Sequence, residues 1–529
     1  MSTRITYLFA LMFAVSSAGM FAEADAEPTE GGRPNILFVI TDDQSFPYAS
    51  AYGVSGVKTP GFDRVAREGV LFRQAFVPSP GCSPTRASIL TGRYPWQNEH
   101  AGTHGSSFSN QLLVYPQLLE DAGYWVGYTG KGWGPGNYAD GGFQRNPAGP
   151  EFKKRMENVP AGIRGTDYAG AFEEFLERRP SNQPFCFWLG TSEPHRVFGK
   201  GLGVQSGKQL NEADVPAFLP DTPEIREDIL DYCFEIEWAD QHLLRALKLL
   251  EERNELDRTL VVVTSDNGMA FPRAKANVYE YGIHVPLAIC WGDRVAGSRT
   301  SDDLVNLVDL MPTFLEAAGV NHESQLPMSG RSLMPILTAS GSGHLDPQRK
   351  ATYSGRERHS SSRWNNLAYP QRCIRTDDYL YIRNFRPERW PAGTPRKMGT
   401  GNYPSDTSKL GPMHGGYHDI DACPSLTFMI QNAENPDLGH FLGWSVDRRP
   451  AEELYAIGED PACLHNLADV AEHQDMKQKL AVALEEFLRE TGDPRVLDGG
   501  DIFESYRRYS RIRTFPRPNW AKPETLSTP

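Results

Sequence analysis

The chain has 529 residues, a net charge of −13, 39% hydrophobic residues and 23% charged ones. That length and apolar content suffice for a large buried core and two or more structural units. The acidic balance argues against nucleic-acid binding through a broad basic surface, and leaves room for a local basic pocket that takes an anionic substrate.

The first residues, MSTRITYLFALMFAVSSAGMFAEADAEP, combine a charged tip at Arg4, an apolar middle and small-residue cleavage options after Ala24 or Ala26. They read as a signal peptide over residues 1–26. Two serines and a glycine break the apolar middle, which argues against an anchor, and no later stretch is long and apolar enough to span a bilayer. The expectation is an exported protein, periplasmic or secreted, with no stable membrane insertion. The chain has no Asn-x-Ser/Thr sequon, which favours a bacterial envelope. Its cysteines, Cys82, Cys186, Cys233, Cys290, Cys373, Cys423 and Cys463, are too widely spaced for a zinc module or a small disulfide scaffold. Their odd number leaves at least one outside intramolecular pairing.

From about Arg33 to Leu337 short apolar strands alternate with amphipathic helices, the pattern of an α/β fold with a large, mostly parallel sheet flanked by helices. NILFVITDD is an apolar run ending in two acids, as for a strand buried on both faces. YPQLLEDAG is a helix closed by Gly123. YWVGYTGKG and PFCFWLGTSEPH are apolar runs that end in polar residues. A long helix opens at Thr222-Pro223, TLVVVTSDNG repeats the first strand's arrangement, and VPLAICWG is a fifth strand. After the break at TASGSGHLDPQ the texture changes: QRCIRTDDYLYIRNF reads as a hairpin turning at Asp377-Asp378. Residues Arg386 to Asn435 read as long loops, and DMKQKLAVALEEFLRETG as a helix. The predicted organisation is an α/β unit over 33–345 and a smaller α+β unit with long loops over 346–529.

In open α/β sheets the working residues collect at the carboxyl ends of strands. Asp42 and Asp43 close the first strand and Asp266 and Asn267 close a later one; these four oxygen-bearing side chains suit a hard divalent cation. Such residues also cap helices and make turns, so either pair alone decides nothing. The third element is PSPGCSPTRASILTGRYP, residues 78–95. It sets Cys82 at a helix amino terminus, where N–H groups and the helix dipole favour negative charge, with Arg86 one turn on.

The string CSPTR followed by LTG resembles the signature of the type I sulfatases. The resemblance extends through NILFVITDDQ, GYTGKG, SEPH, VVVTSDNG, LVDLMPTFLEAAGV and GRSLMPIL, and into RCIRTDDYLYIRNF and RPAEELYAIGEDPACLHNLAD, in family order. It implies an alkaline-phosphatase-like sulfatase fold whose catalytic domain is the 33–345 unit. It further implies that Cys82 is a precursor, oxidised to formylglycine by a formylglycine-generating enzyme. Asp42, Asp43, Asp266 and Asn267 would then be calcium ligands together with an oxygen of the modified Cys82, and Arg86, Lys131, His195 and Lys275 would surround the sulfate. Hydration of the aldehyde gives a geminal diol whose hydroxyl attacks sulfur, His195 protonates the leaving group, and collapse through the second hydroxyl expels sulfate. Arg273, two positions from Lys275, is the alternative for that residue's role. One departure stands out: the family's histidine two residues after the lysine is Trp133 here, in GKGWGPG, so another histidine, such as His104 or His284, supplies the base, or turnover is altered.

Within the family, EPHRVFG, DNGMAFPRAKANVYEYGIHVPL, YPQRCIRT and RETGDPRV resemble the N-sulfoglucosamine sulfohydrolases. The implied substrate is a terminal N-sulfated glucosamine of heparin or heparan-type glycans. Arg356, Arg358 and His359, in SGRERHSSSRW, are candidates to contact that sugar. The alternatives are an O-sulfatase acting on a sulfated sugar or small ester, a phosphatase or phosphonate hydrolase of related fold, whose extra zinc ligands cannot be assembled here, and a catalytically silent glycan-binding protein, for which Trp133 is the argument.

Overall fold

The computed structural model describes residues 32–321, 327–393 and 417–510; the expected signal peptide lies outside the described residues. Seven strands make the main sheet: β1 (Asn35–Thr41), β2 (Val70–Phe72), β3 (Trp125–Gly130), β4 (Phe185–Gly190), β5 (Thr259–Ser265), β6 (Leu287–Cys290) and β7 (Arg299–Ser301). They lie in the order β3-β4-β1-β5-β6-β2-β7, and of the seven β6 alone runs against the rest. The central β1, buried at every residue, pairs in parallel with β4 and β5.

Alternation along β1 explains the layers. Ile36, Phe38 and Ile40 join a core with Ala87 and Leu90 of α2 (Cys82–Thr91), Leu119 of α3 (Tyr115–Asp121) and Phe314 of α6 (Leu310–Ala318). Leu37 and Val39 point to the opposite face, against Phe62 of α1 (Pro60–Glu68), Phe172 of α4 (Tyr168–Arg178) and Leu243 of α5 (Pro223–Glu252). A strand covered on both sides must be apolar at every position, which is why this run is continuous rather than alternating. The architecture is a mixed α/β fold, and the sequence pattern anticipated it.

A smaller antiparallel sheet follows: β8 (Thr352–Arg356), β9 (Gln371–Arg375), β10 (Tyr379–Asn384) and β11 (Glu452–Ala456), in that order. The β9–β10 hairpin pairs Arg375 with Leu380 and turns through Asp377 and Asp378. Leu480, Leu484 and Leu488 of α8 (Gln474–Glu490) cover Ile374, Tyr381 and Leu454 of this sheet. One expectation needs correcting. The stretch read as loops contains α7 (Pro424–Gln431), which opens on a proline and buries Leu426 and Met429 beside Ile225 and Ile229 of α5. Proline at N1 is pre-organised for a helix start, so the signal was present but masked by surrounding Pro and Gly residues.

No helix among the described residues is long and apolar enough to cross a membrane.

Candidate active site

The carboxyl ends of β1, β3, β4 and β5 converge, and each delivers a polar side chain. Strand β1 ends in Asp42 and Asp43, β3 leads into Lys131, β4 into the loop carrying His195, and β5 into Asp266 and Asn267. The non-glycine Asp43 takes a left-handed φ of 74°, a conformation that Asp tolerates better than most residues. Helix α2 faces these ends with Cys82 as its first residue, capped by Gly81 and closed by the left-handed Gly92. Cys82 is therefore at the positive end of a ten-residue helix, buried and unpaired in any disulfide, as are the other six cysteines.

One oxygen each of Asp42 and Asp266 and the Cys82 Sγ lie within 4.8 Å of one another. Among the described residues Asp42 Oδ1 and Asn267 Oδ1, both buried, have no hydrogen-bond partner, although buried polar atoms nearly always have one. Asn267 Nδ2 donates to Asp43 Oδ1 at 2.7 Å. Three acids and an amide oxygen, with one oxygen of Asp42 and that of Asn267 left without a hydrogen-bond partner, are the donor set of a hard divalent cation. The residues fit such an ion.

The same acids are ion-paired to the cations of the site. Arg86 Nε donates to Asp266 Oδ2 at 2.6 Å, Lys131 Nζ to Asp42 Oδ2 at 2.5 Å and Lys275 Nζ to Asp43 Oδ2 at 2.6 Å. Arg86 is also tied to the carbonyls of Lys131 and Gly132. Burial pushes the Asp42 carboxyl up, but Lys131, His195, Arg86 and Lys275 together outweigh it and hold the group well below the usual carboxylate range. Burial, helped by the charge of Asp42 and opposed by Arg86, raises Asp266 to about 6. Burial likewise lifts the Cys82 thiol, with Lys131 opposing, so the unmodified side chain is not a ready thiolate. His195 Nδ1 donates to the Arg196 carbonyl at 2.7 Å, leaving Nε2 directed to the site, 3.9 Å from Asp43 Oδ2. Burial and then Lys275 push the His195 imidazole well below its ordinary value.

A cavity of about 120 Å³ opens over this cluster, and Cys82, Lys131, His195 and Lys275 all line it. Arg86 and the four oxygen-bearing side chains lie beneath, buried. Of the two residues considered for one cationic role, Lys275 enters the site, while Arg273 turns away and donates to the carbonyls of Trp444 and Cys463.

Trp133 is buried against the start of α2: its Nε1 donates to the Ser83 carbonyl at 3.1 Å and its ring packs on Phe108. His284 lies away from the site, between Glu280 Oε1 and the Arg73 carbonyl and stacked on Phe46 and Phe76. Of these two histidines it is His104 that stands at the site, with Nε2 3.3 Å from Cys82 Sγ and its ring 4.4 Å from that of His359.

The sugar-contact candidates separate. His359 lines the cavity. Arg356 does not: it is buried and paired to Asp419 Oδ2 at 2.7 Å. Arg358 is buried too, donating to Tyr506 O, Ser106 Oγ and Thr103 Oγ1. Burial, then the neighbouring Arg508, lowers Arg358 to about 9. Sequence reasoning missed Ser360, Arg508 and Ser510, which line the cavity as well. The last two sit on a strap held by Tyr509 N to Gly105 O at 2.8 Å and Ser106 Oγ to Arg507 O at 2.7 Å. The basic run YRRYSR was the one local signal for it.

The sulfatase family profile matches residues 34–320, more than half of the chain. The chain belongs to the sulfatase family. A second profile, the C-terminal region of N-sulphoglucosamine sulphohydrolase, matches residues 273–391. Among curated sulfatases, an ulvan-active sulfatase of Formosa agariphila is 26% identical over 87% of this chain and 81% of its own length. Human N-sulphoglucosamine sulphohydrolase is 26% identical over 89% and 93%. A solved structure in complex with its substrate D-glucosamine-2-N,6-O-disulfate superposes with a TM-score of 0.62 at 21% identity, covering 87% of this chain and 98% of that one. Membership makes this protein a hydrolase of sulfated substrates, and its relatives act on sulfated glycans.

Proposed function

We propose that this sulfatase is an exported, calcium-dependent enzyme that removes the N-sulfate from a terminal glucosamine of heparin-type saccharides, after oxidation of Cys82 to formylglycine. The observation that carries the reading is Cys82 at the amino end of α2, with Asp42 and Asp266 within 4.8 Å and Lys131, Lys275 and His195 around one cavity. Preference for N-sulfate draws on the profile match over residues 273–391 and on the human N-sulphoglucosamine sulphohydrolase.

Asp42, Asp43, Asp266, Asn267 and the oxygen at position 82 would hold the calcium. When bound, calcium neutralises charge on the sulfuryl oxygens and favours the ionised form of a hydroxyl nucleophile. Lys131 and Lys275, which line the cavity, bind the sulfate oxygens, a preorganised electrostatic role. Arg86, locked by Asp266 and two carbonyls, fixes position 82 and adds positive charge from below. His195 acts on the leaving nitrogen. Its Nδ1–H is committed to the Arg196 carbonyl, so Nε2 is the atom that carries a proton to substrate, and the negative sulfate favours that protonated form. His104 Nε2 is within hydrogen-bond reach of position 82 and takes the proton from the hydroxyl whose ionisation expels sulfate, the role for which Trp133 has no group. His359 and Ser360 contact the sugar.

A second reading, O-sulfate hydrolysis, is favoured by the equal identity to the ulvan-active sulfatase. Two measurements decide. The mass of the tryptic peptide Gln74–Arg86 from the native host should be that of formylglycine at Cys82; an unmodified cysteine removes the nucleophile and leaves a silent glycan-binding protein. Sulfate release from glucosamine N-sulfate should exceed that from glucosamine 6-O-sulfate by about tenfold or more, a difference of ~1.4 kcal/mol in transition-state binding. Equal or faster O-desulfation overturns the N-sulfate preference.

A further inference from the structure

A second cavity, of about 340 Å³, lies in the carboxyl-terminal half, bordered by Arg273, Arg448, Arg449, Tyr279, Tyr455 and Trp444. Arg449 is 6% exposed, and among the described residues none of its three guanidinium nitrogens has a hydrogen-bond partner. Its guanidinium lies over the Tyr279 ring, 4.7 Å from the centroid. Among the described residues no carboxylate forms an ion pair with it. Glu453, which also borders the cavity, is committed elsewhere: Oε2 accepts from the hydroxyls of Tyr279 and Tyr455, each at 2.7 Å, and Oε1 from Asn384 Nδ2 at 2.7 Å. Asp447 stands on the lining with the exposed Arg448. A buried guanidinium without partners is costly, and its planar fork of five donors matches the paired oxygens of a sulfate or carboxylate. The aromatic side chains beside it offer flat, partly apolar surface. The volume falls at the lower end of the range for small-ligand sites, about 300–1,000 Å³.

We propose that this cavity is a non-catalytic binding site for a sulfate- or carboxylate-bearing sugar unit, with Arg449 as the residue that takes the anion. The existence of an anion site rests on the geometry, whereas the choice of a sugar as its bearer rests on the sulfated-glycan reading given above. The site would let the enzyme hold a polyanionic chain at a point other than the residue being desulfated.

The test is calorimetric titration of a heparin-derived hexasaccharide into the Cys82→Ala protein and into the same protein carrying Arg449→Met. The dissociation constant should rise about tenfold in the double variant. In the mature enzyme, Arg449→Met should leave kcat/KM on glucosamine N-sulfate within about twofold of wild type. Equal dissociation constants overturn the proposal. So does an Arg449-dependent signal from inorganic sulfate with none from the hexasaccharide, which would assign the site to a free oxyanion. Should Arg449→Met fail to fold, Arg448→Ala on the exposed rim gives the same comparison, with about a threefold rise expected and no change overturning the idea. Binding is read in proteins that cannot turn over, so failure of the N-sulfatase reading, seen as no hydrolysis by mature wild type, stays distinguishable.

Discussion

Two clusters of buried cations in this protein are built on opposite principles. Around Cys82 three cations each have a carboxylate within 2.7 Å: Arg86 has Asp266, Lys131 has Asp42 and Lys275 has Asp43. Around Arg449 the nearby carboxylate of Glu453 is saturated by neutral donors, and among the described residues the guanidinium has no anion. The first arrangement suits catalysis. Alternating charges keep a dense site foldable, and the acids would hold a divalent cation while the lysines face the substrate. The second suits binding, because an unpaired buried cation gains most from an arriving anion and has no chemistry to perform.

The largest expected effect comes from removing the helix-terminal side chain in the first cluster. Cys82→Ala should abolish turnover while preserving the fold, since the side chain is small and its hydrogen-bond contact is with His104. Detectable turnover above ~0.1% of wild type would mean that the cluster works without a group at position 82, and the comparison would lose its catalytic half. Next comes Arg356, which was expected at the sugar but is paired with Asp419. Arg356→Ala leaves Asp419 with Arg363 and the hydroxyls of Ser360 and Ser362, so the cost should sit near the low end for breaking a buried pair, about 3 kcal/mol. Urea unfolding measures it. A raised KM with unchanged stability would place Arg356 at the substrate instead.

His104→Ala sharpens the comparison from within the catalytic cluster. If this histidine accepts the proton that allows sulfate to leave, kcat should fall about 10²-fold, the lower range for a general base, while the first turnover still releases the desulfated sugar as a burst. His284→Ala, remote from the site, should show no burst. Its loss of the Glu280 contact should appear in stability alone.

How much of this was readable from sequence follows from which contacts are local. The ends of β1 and β5, the start of α2 and the lysine after β3 are each encoded within about ten residues, as apolar runs that stop at Asp, Asn or Lys, so the elements and their polar ends could be read directly. What each end meets could not. Lys275 and Arg273 differ by two positions and go to different cavities, because the backbone between them turns and one side chain finds Asp43 while the other finds two carbonyls. Arg356 and His359 differ by three: the arginine is still on β8, where its side chain packs inward, and the histidine is on the loop beyond, over the cavity. His104 stands beside Cys82 on a loop that is held by a strap some four hundred residues later, through Gly105 and Ser106, and no local pattern announces a contact of that range.

The smallest effect expected is one of pH, and it tests whether the paired acids are the cation's ligands. Asp266, raised to about 6 by burial and by Asp42, is protonated below that pH and ionised above it. A cation that binds the carboxylate must displace this proton. Its apparent dissociation constant should therefore be lowest at the alkaline end and rise as pH falls through 6, by about tenfold per unit for the one proton that Asp266 releases. Asp42, held well below the usual carboxylate range, stays ionised throughout and adds no slope, whereas Asp43, raised by burial against the opposing charge of Lys275, steepens it. Calcium titrations of the Cys82→Ala protein between pH 5 and 8 measure the slope without interference from turnover. Asp266→Asn should make the pH dependence shallower, leaving the part that belongs to Asp43, and weaken binding at every pH. A slope unchanged by this substitution would show that the proton lost on binding belongs to another group, and that Asp266 serves Arg86 alone.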